Sequence, residues 1–393
     1  MIPERPTTVT YRYRKASASN SEEPMKLYSV TKFVAIIALG VWFVHPTFAS
    51  AAPRTNGNGV GPSDVGIWYC TYYPANWTNV IGYTKAGTYL PLCSDKADDF
   101  RNYASDEIKV IDYHLKKLAE ARIDFVALEL SPGGWGGYRN TEIYNYMVRC
   151  GRKTCERIAV WNKSHSWKIK YALGVGVHQD CRGNDSWGLA IEKVAEDVAK
   201  TFFNNPNYGG TNNYYQLNGK PLLICYGLRL PQLIQEWDGY KGEKTYGDLF
   251  TLRTFTGYAA AGEYGWPLPL HQGTLLHPEI ELVQPGFNVH RPNEIEQRNG
   301  GDFYRSCWEK VLQNKKPQIV MIQAFNDYLE ESAVWTTDTS HLAPDQEKWL
   351  GHDGQLHPAM FWEMTKEYIN RLRKEVVPAA TSVTPASASR KNP

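Results

Sequence analysis

The sequence predicts a single-domain (β/α)₈ barrel over residues 63–375. Apolar, β-branched runs recur along this stretch, helical patterns fall between several of them, and no composition break, long linker or internal repeat divides it. Alternation of this kind implies a parallel sheet with right-handed crossovers. About seven such runs in roughly 310 residues fit the barrel, with the eighth strand expected after residue 335.

The predicted elements follow one another along the chain. Strands are predicted at residues 65–73, 123–130, 167–177, 221–226, 249–255, 280–284 and 319–325. Helical periodicity predicts helices at residues 105–121, 189–203, 304–312 and 363–373. A doubly wound open sheet is the alternative, but it requires a glycine-rich phosphate loop. Residues 133–137 are glycine-rich yet lack both GxGxxG and a P-loop lysine.

Both ends of the chain are predicted to lie outside this domain. Residues 25–51 have the charged start, the apolar segment at 33–44 and the small-residue site that are typical of a secretory signal peptide. The apolar segment, about 12 residues long, is short for a membrane span, so an uncleaved anchor is the less favoured alternative. We predict a polar N-terminal extension at 1–24, a linker at 52–62 and a disordered tail at 376–393. The protein is thus expected to be secreted and extracellular, without stable membrane insertion.

The charge balance and the aromatic content limit the classes of molecule that the protein is expected to bind. Lys+Arg is 43 and Asp+Glu is 41, a balance that argues against a dedicated nucleic-acid binder. Aromatic residues make up 13% of the chain, which suits a cleft that stacks against sugar rings. We expect a carbohydrate substrate, no nucleic acid, and a monomer.

The seven cysteines show no CxxC pair and no zinc spacing, which argues against a structural zinc site. Cys150 and Cys155 flank a predicted short loop and are the favoured disulfide pair, with Cys70 and Cys93 as a second candidate. Three sequons, at Asn76, Asn162 and Asn184, permit N-glycosylation in an exported protein.

Functional residues of such a barrel follow the carboxyl ends of its strands. We predict that substrate contacts come from Tyr72, Tyr73, Glu129, Trp135, His178, Tyr226, Asn288, Arg291, Asn326 and Tyr328.

The segment after the seventh strand carries the clearest chemistry. Asp327, Glu330 and Glu331 follow the apolar run 319–322 within a few residues. Glycoside hydrolysis needs two carboxyl groups, one to protonate the leaving oxygen and one to act as base or nucleophile. A solvated acidic turn is the plain alternative, but the position after a buried strand favours catalysis. We predict Asp327 and Glu330 as the pair, with Glu331 on the solvated side of the turn.

Two other chemistries are less well supported. A divalent metal on Asp327, Glu330 and His178 lacks HxxxH or HxH spacing, and we predict neither metal nor cofactor. A Ser-His-Asp hydrolase would require GxSxG, which does not occur.

The motif Asn326-Asp327-Tyr328-x-Glu330, followed by Ser332, resembles the Asn-Asp-Tyr-Gly-Glu-Ser segment of glycoside hydrolase family 71, the α-1,3-glucanases. The same stretch is similar to the Phe-Asn-Glu-Trp-His-Glu segment of family 99, the endo-α-mannosidases, and of WbsX-like proteins. Residues 204–221, 284–288 and 298–304 resemble further segments of this second group. The resemblance covers about residues 65–370.

Both families are (β/α)₈ barrels that cleave internal α-linkages, so the resemblance implies an endo-acting α-glycosidase on an α-1,3-glucan or an α-mannan type of glycan. It places the paired acids on Asp327 and Glu330, and of these two we predict Glu330 as the general acid and Asp327 as the base. Leu329 stands where those motifs have Gly or His, Glu331 adds a carboxylate, and Phe287 lacks the hydroxyl of the family 99 tyrosine. Family 71 inverts, whereas family 99 retains through the substrate's own 2-hydroxyl. A catalytically silent carbohydrate-binding barrel is the alternative function.

Overall fold

A computed structural model describes residues 63–73, 90–91, 103–130, 142–176, 185–226, 237–255, 279–288, 295–313, 317–328, 330–340, 342 and 347–374. All of these residues belong to one unit, Ala52–Pro393. The predicted signal peptide, linker and tail lie outside them. Within the described ranges, no helix combines the length and the apolar character needed to cross a membrane.

In the part of the chain that the structure describes, seven parallel strands form one curled sheet. They are β1 Asp64–Cys70, β2 Phe125–Glu129, β3 Lys170–Gly176, β4 Lys220–Tyr226, β5 Thr251–Phe255, β6 Ile280–Val283 and β7 Ile319–Ile322. Their order is β5-β4-β3-β2-β1-β7-β6. Each strand pairs with its predecessor in the chain except β6, which pairs with β7, and β7 pairs in addition with β1. This arrangement confirms the predicted α/β class and its parallel sheet, and all seven predicted strands are present.

Three short antiparallel pairs accompany this sheet. Gln216–Leu217 pairs with the start of β4, Phe287–Asn288 pairs with Ile295–Glu296, and Leu90–Pro91 pairs with Thr337–Asp338.

The prediction of an eighth strand after residue 335 is wrong. Strand β7 pairs directly with β1, with Asp64 opposite Ile319 and Ile67 opposite Ile322, so no strand fits between them. The chain after β7 instead folds back on itself, because the N–H of Val334 donates to the carbonyl of Ala324 at 2.9 Å. The segment Thr337–Asp338 then pairs antiparallel outside the parallel sheet.

The two edge strands of the sheet are linked by an ion pair. Arg253 of β5 donates from Nε and Nη2 to Oε1 of Glu279, directly before β6, at 2.8 and 2.6 Å. Among the described residues, β5 and β6 share no backbone pairing. The sheet therefore curls far enough to bring its edges within side-chain reach, and full closure of the barrel stays a prediction.

Within the described residues, five α-helices cover the sheet: α1 Ile108–Glu120, α2 Glu142–Ser164, α3 Trp187–Val198, α4 Asp302–Gln313 and α5 Met360–Lys374. A π-helical turn, Ala199–Phe203, continues α3, and 3₁₀ turns lie at Pro206–Tyr208, Gly210–Asn212, Gly247–Leu249 and Asn299–Gly301. All four predicted helices are present, with ends displaced by up to five residues.

The sequence did not predict α2, although it is the longest of these helices. Its buried positions include Met147, Gly151, Cys155 and Ile158, where helical spacing holds but two side chains are small. A Cβ at Gly151 would lie 3.5 Å from both Leu130 and Phe202, so small residues bring the helix close to its neighbours. A prediction based on large apolar residues at helical spacing does not detect such a face.

The predicted Cys150–Cys155 disulfide is wrong, because the intervening residues form helix α2 and not a loop. Five residues along a helix turn the side-chain direction by about 140°, which points the two thiols apart. Both are free and buried, and burial raises the pKa of Cys150 to about 12. Cys70 is also a free, buried thiol, and Cys93 lies outside the described residues.

The sequon at Asn162 lies in the last turn of α2, and its amide bonds to the protein. Nδ2 of Asn162 donates to the carbonyl of Ile169 at 2.8 Å and to Oδ1 of Asn213 at 2.9 Å, and its Oδ1 accepts from the N–H of Ile169 at 3.0 Å. A glycan on Nδ2 would replace one of its two hydrogens, so the glycosylated amide could not make both donated bonds. The sequons at Asn76 and Asn184 lie outside the described residues.

Two strand glycines make room for aromatic rings inside the curled sheet. A Cβ at Gly66 would lie 2.3 Å from the ring of Phe125, and one at Gly174 would lie 2.3 Å from the ring of Trp68. Contacts this close exclude any side chain, so the glycines accommodate these large rings. The indole of Trp68 is thereby placed beside the carboxyl end of β2.

Candidate active site

The segment after β7, residues 323–328 and 330–335, carries the three carboxylates and is here called the β7 loop. Asn326 anchors it to the end of β1. The side-chain Oδ1 of Asn326 accepts from the N–H of Cys70 at 2.8 Å, and its Nδ2 donates to the carbonyl of Cys70 at 3.1 Å and to the hydroxyl of Tyr103 at 2.8 Å. The amide thus extends the β1–β7 contact beyond the strands.

Tyr73 contacts the backbone of the β7 loop through its hydroxyl. Its hydroxyl donates to the carbonyl of Asn326 at 2.5 Å and accepts from the N–H of Tyr328 at 3.2 Å. All three residues are buried. These contacts give Tyr73, Asn326 and Tyr328 a part in holding the loop, and their predicted contact with substrate stays a prediction.

Asp327 is only 4% exposed and faces the end of β1. Its Oδ1 accepts from the N–H of Glu330 at 3.1 Å, which ties the two predicted catalytic residues together. Burial, and next the charge of Asp327, raise the pKa of Tyr72 well above its usual range. The same two causes raise the pKa of Cys70, so Asp327 lies close to both groups.

Glu129 reaches the same place from the end of β2. Its Oε2 accepts from the indole nitrogen of Trp68 at 2.5 Å and from the thiol of Cys70 at 3.3 Å. The Glu129 charge is a further, smaller cause of the raised pKa of Tyr72. The structure therefore gathers Tyr72, Glu129 and Asp327 at the carboxyl end of the sheet.

Glu330 and Glu331 are adjacent but lie in different environments. Glu330 is partly exposed, whereas Glu331 is 4% exposed. The backbone of Glu331 has a left-handed φ of 51°, which turns this residue inward. Nδ2 of Asn288 then donates to Oε2 of Glu331 at 3.3 Å. The prediction that Glu331 lies on the solvated side of the turn is wrong.

A small cavity of about 80 Å³ lies beside Glu331. It is lined by Phe287, Asn288, Glu296, Gln297, Arg298, Glu331 and Glu347. Burial raises the pKa of Glu296 at its edge. Across the part of the chain that the structure describes, no group of three or more His, Cys, Asp or Glu side chains is arranged to hold a metal ion.

Four of the predicted substrate contacts cannot be placed by their side chains. Trp135, His178 and Arg291 lie outside the described residues. Tyr226 ends β4, but only its backbone is described. Asn288, the remaining predicted contact, joins the β7 loop through its N–H, which donates to the carbonyl of Glu330 at 2.9 Å.

Sequence reasoning missed Trp68, Cys70 and Arg298. Alternation along β1 was an available signal, because Gly66, Trp68 and Cys70 share one face of the strand. Arg298 begins the segment 298–304 noted above for its resemblance to family 99, but nothing near it in the chain indicates that it reaches the β7 loop.

The chain matches no protein-family model and no curated protein. Among solved structures it is similar to the GH99 endo-α-mannosidase from Bacteroides thetaiotaomicron in complex with BIS-TRIS-propane, with 15% identity and a TM-score of 0.49, over 79% of this chain and 97% of that one. A second structure of the GH99 enzyme from this organism has 13% identity and a TM-score of 0.48 over the same shares. A glycoside hydrolase-like protein has 14% identity and a TM-score of 0.48, over 79% and 94%. Overlap this slight transfers neither an activity nor a substrate.

Proposed function

We propose that the chain is a secreted, endo-acting glycoside hydrolase that cleaves α-linkages of a polysaccharide or glycan. The observation that carries the proposal is the pair Asp327 and Glu330 on one short loop, in contrasting environments. Asp327 is buried, and Glu330 is partly exposed. Paired carboxyl groups whose surroundings differ are what acid–base hydrolysis of a glycosidic bond requires.

In this proposal Asp327 is the base and Glu330 is the general acid. Oδ1 of Asp327 accepts from the N–H of Glu330, which holds the two residues together on the loop. Glu330 is the more accessible of the two carboxyl groups, which suits a group that must reach the leaving oxygen of a bound polymer. The raised pKa of Tyr72 keeps its hydroxyl protonated at neutral pH, so that it can donate to a sugar or carboxylate oxygen.

The sugar and the stereochemistry belong to this proposal as alternatives taken from the resemblance. An α-1,3-glucan would follow family 71, and an α-mannan would follow family 99. Carboxyl groups about 5–5.5 Å apart suit direct retention, and about 6.5–9.5 Å suit inversion. Retention through the sugar's 2-hydroxyl is outside this rule, so NMR of the first-formed anomer decides between the routes.

The test is release of reducing ends from a panel of α-glucans and α-mannans by purified protein. We expect one polymer class to be cleaved, with oligosaccharides of several lengths appearing early, since an endo-acting enzyme cuts internal bonds. Single sugars released from chain ends would contradict endo action. Binding to a polymer without release would support the catalytically silent barrel instead.

Export is a separate part of the proposal. The pattern Ala49-Ser50-Ala51 after the apolar segment predicts that the mature chain starts near Ala52. N-terminal sequencing of the protein from culture medium should give this start. Recovery of residues 33–44 intact in a membrane fraction would contradict a cleaved signal peptide.

A further inference from the structure

Arg298 lies behind the β7 loop and is only 2% exposed. Its Nη2 donates to the carbonyl of Glu331 at 2.5 Å, and Nη1 and Nη2 both donate to the carbonyl of Ala333 at 3.2 Å. The guanidinium lies 4.5 Å from the ring centroids of Trp349 and Phe361. Carbonyl dipoles and aromatic faces thus replace the hydrating water that the cation loses on burial.

The fold is built to hold this arginine in place. Oε2 of Glu347 accepts from the N–H of Arg298 at 2.8 Å, and its Oε1 accepts from the N–H of Asn299 at 2.9 Å. A Cβ at Gly286 would lie 2.6 Å from Cγ of Arg298, so glycine is needed for the arginine stem to pass. Gly286 lies on the segment that joins β6 to α4, and Glu347 lies on the segment that joins β7 to α5.

The carbonyl that Arg298 holds belongs to the one residue of the described β7 loop with a positive φ. Glu331 has φ 51°, a conformation that non-glycine residues adopt only where the surroundings stabilise it. Arg298 contacts the loop on both sides of Ser332, at Glu331 and at Ala333. It therefore fixes the peptide groups that follow Glu330.

The backbone of Glu330 is held by hydrogen bonds at both its N–H and its carbonyl. Its N–H donates to Oδ1 of Asp327, and its carbonyl accepts from the N–H of Asn288 at 2.9 Å. With the next carbonyl held by Arg298, little freedom remains in the backbone that aims the Glu330 side chain. We propose that Arg298 is a positioning residue, which stabilises the left-handed Glu331 and thereby directs the Glu330 carboxyl. This inference rests on the proposed function, in which Glu330 is the acid.

Kinetics of Arg298→Met against Arg373→Met provide the first test. Arg373 is a matched control, because it is also a buried arginine that donates to the carbonyl of a non-glycine residue with positive φ, Arg122 at 59°. Arg122 precedes β2 and so lies at the opposite end of the sheet. At a temperature where both variants are folded, Arg298→Met should lower kcat about 10²-fold with KM nearly unchanged, since a misplaced catalytic group costs about that much. Arg373→Met should leave kcat near the wild-type value.

A double variant tests the link to the left-handed backbone. Asparagine tolerates positive φ better than glutamate, and its amide oxygen can accept a hydrogen bond. In the Glu331→Asn background, Arg298→Met should therefore lower kcat less than it does alone. Equal losses in both backgrounds would overturn the role assigned to the Glu331 conformation. Should Arg298→Met fail to fold, Arg298→Lys keeps the charge but loses the forked donor geometry, and a smaller loss of kcat is expected.

Hydrogen exchange gives a readout that does not depend on activity. Peptides covering residues 324–335 should exchange faster in Arg298→Met than in wild type, and by more than peptides elsewhere in the chain. In Arg373→Met, which is expected to lower the stability of the whole fold, these peptides should change no more than the others do. If wild type cleaves no glycan, the proposed function fails while exchange still decides whether Arg298 holds the loop. Unchanged exchange, or a kcat no lower than that of Arg373→Met, would overturn the inference.

Discussion

Glu330→Gln is expected to lower turnover by about 10²–10⁴-fold while leaving carbohydrate binding largely intact, because glutamine keeps the shape of glutamate but cannot supply a proton to the leaving oxygen. The side chain is partly exposed at the β7 loop, so the substitution should be tolerated by the fold. Initial rates on the polymer that wild type cleaves, together with calorimetric binding of the same polymer, measure both quantities.

Asp327→Asn should cause a comparable loss, since one carboxyl without its partner completes neither the inverting nor the retaining route. The carboxylate oxygen Oδ1 of Asp327 accepts from the N–H of Glu330. The amide oxygen of asparagine can accept the same bond, so the loop geometry is kept and the charge alone is removed. A rate near wild type would contradict the role of Asp327 as base.

Two further substitutions test whether the loss of activity is specific to Asp327 and Glu330. Glu363→Gln on α5 is the surface control, because its side chain is 61% exposed, and it should leave the rate unchanged. Glu331→Gln is no longer a solvent-exposed control, because Glu331 is buried and accepts from Asn288. We expect a smaller loss than for Glu330→Gln. If Glu331→Gln abolishes activity and Glu330→Gln spares it, the assigned roles are wrong.

The second large effect concerns stability. Arg373 of α5 donates from Nη2 to Oδ2 of Asp124 at 2.8 Å, and the same oxygen accepts from the N–H of Val65 at 2.8 Å. The two charged side chains are 2% and 3% exposed. Arg373→Met leaves the Asp124 carboxylate buried without its cation, which should lower the free energy of unfolding by about 3–5 kcal/mol. Denaturant unfolding followed by tryptophan fluorescence measures this change.

A surface ion pair gives the comparison. Lys366 and Glu363 are 33% and 61% exposed, so Lys366→Met should change the free energy of unfolding by less than about 1 kcal/mol. Adding Asp124→Asn to Arg373→Met removes the unpaired charge and should recover part of the loss. A loss below about 1 kcal/mol for Arg373→Met would show that the buried pair contributes little.

Much of the fold could be predicted from the sequence because hydrophobic burial acts along the chain. All seven parallel strands were predicted from apolar, β-branched runs, since strands buried on both faces are recognisable without knowledge of their neighbours. Helix α1 was predicted in the same way from Ile111, Leu115 and Leu118, which lie on one buried face. The position of the β7 loop after its strand followed from the same pattern.

Features that depend on small residues or on strand neighbours could not be predicted. Helix α2 was missed because its buried face includes Gly151 and Cys155, where close packing replaces apolar volume. The eighth strand was wrongly expected because sequence does not say that β7 pairs with β1 directly. The predicted disulfide between Cys150 and Cys155 was wrong because it assumed a loop between the two residues, which instead lie on helix α2.

The sequence by itself determined which carboxylates lie on the β7 loop, because a run of apolar residues ending in polar ones marks the end of a buried strand. Only the tertiary structure decided which of them face solvent. Glu330 and Glu331 are adjacent and chemically alike, and their environments differ because the backbone of Glu331 is left-handed and is bonded to Arg298, a residue 33 positions away in the chain. Such a contact depends on the packing of two loops after β6 and β7, and no local pattern of residues encodes it.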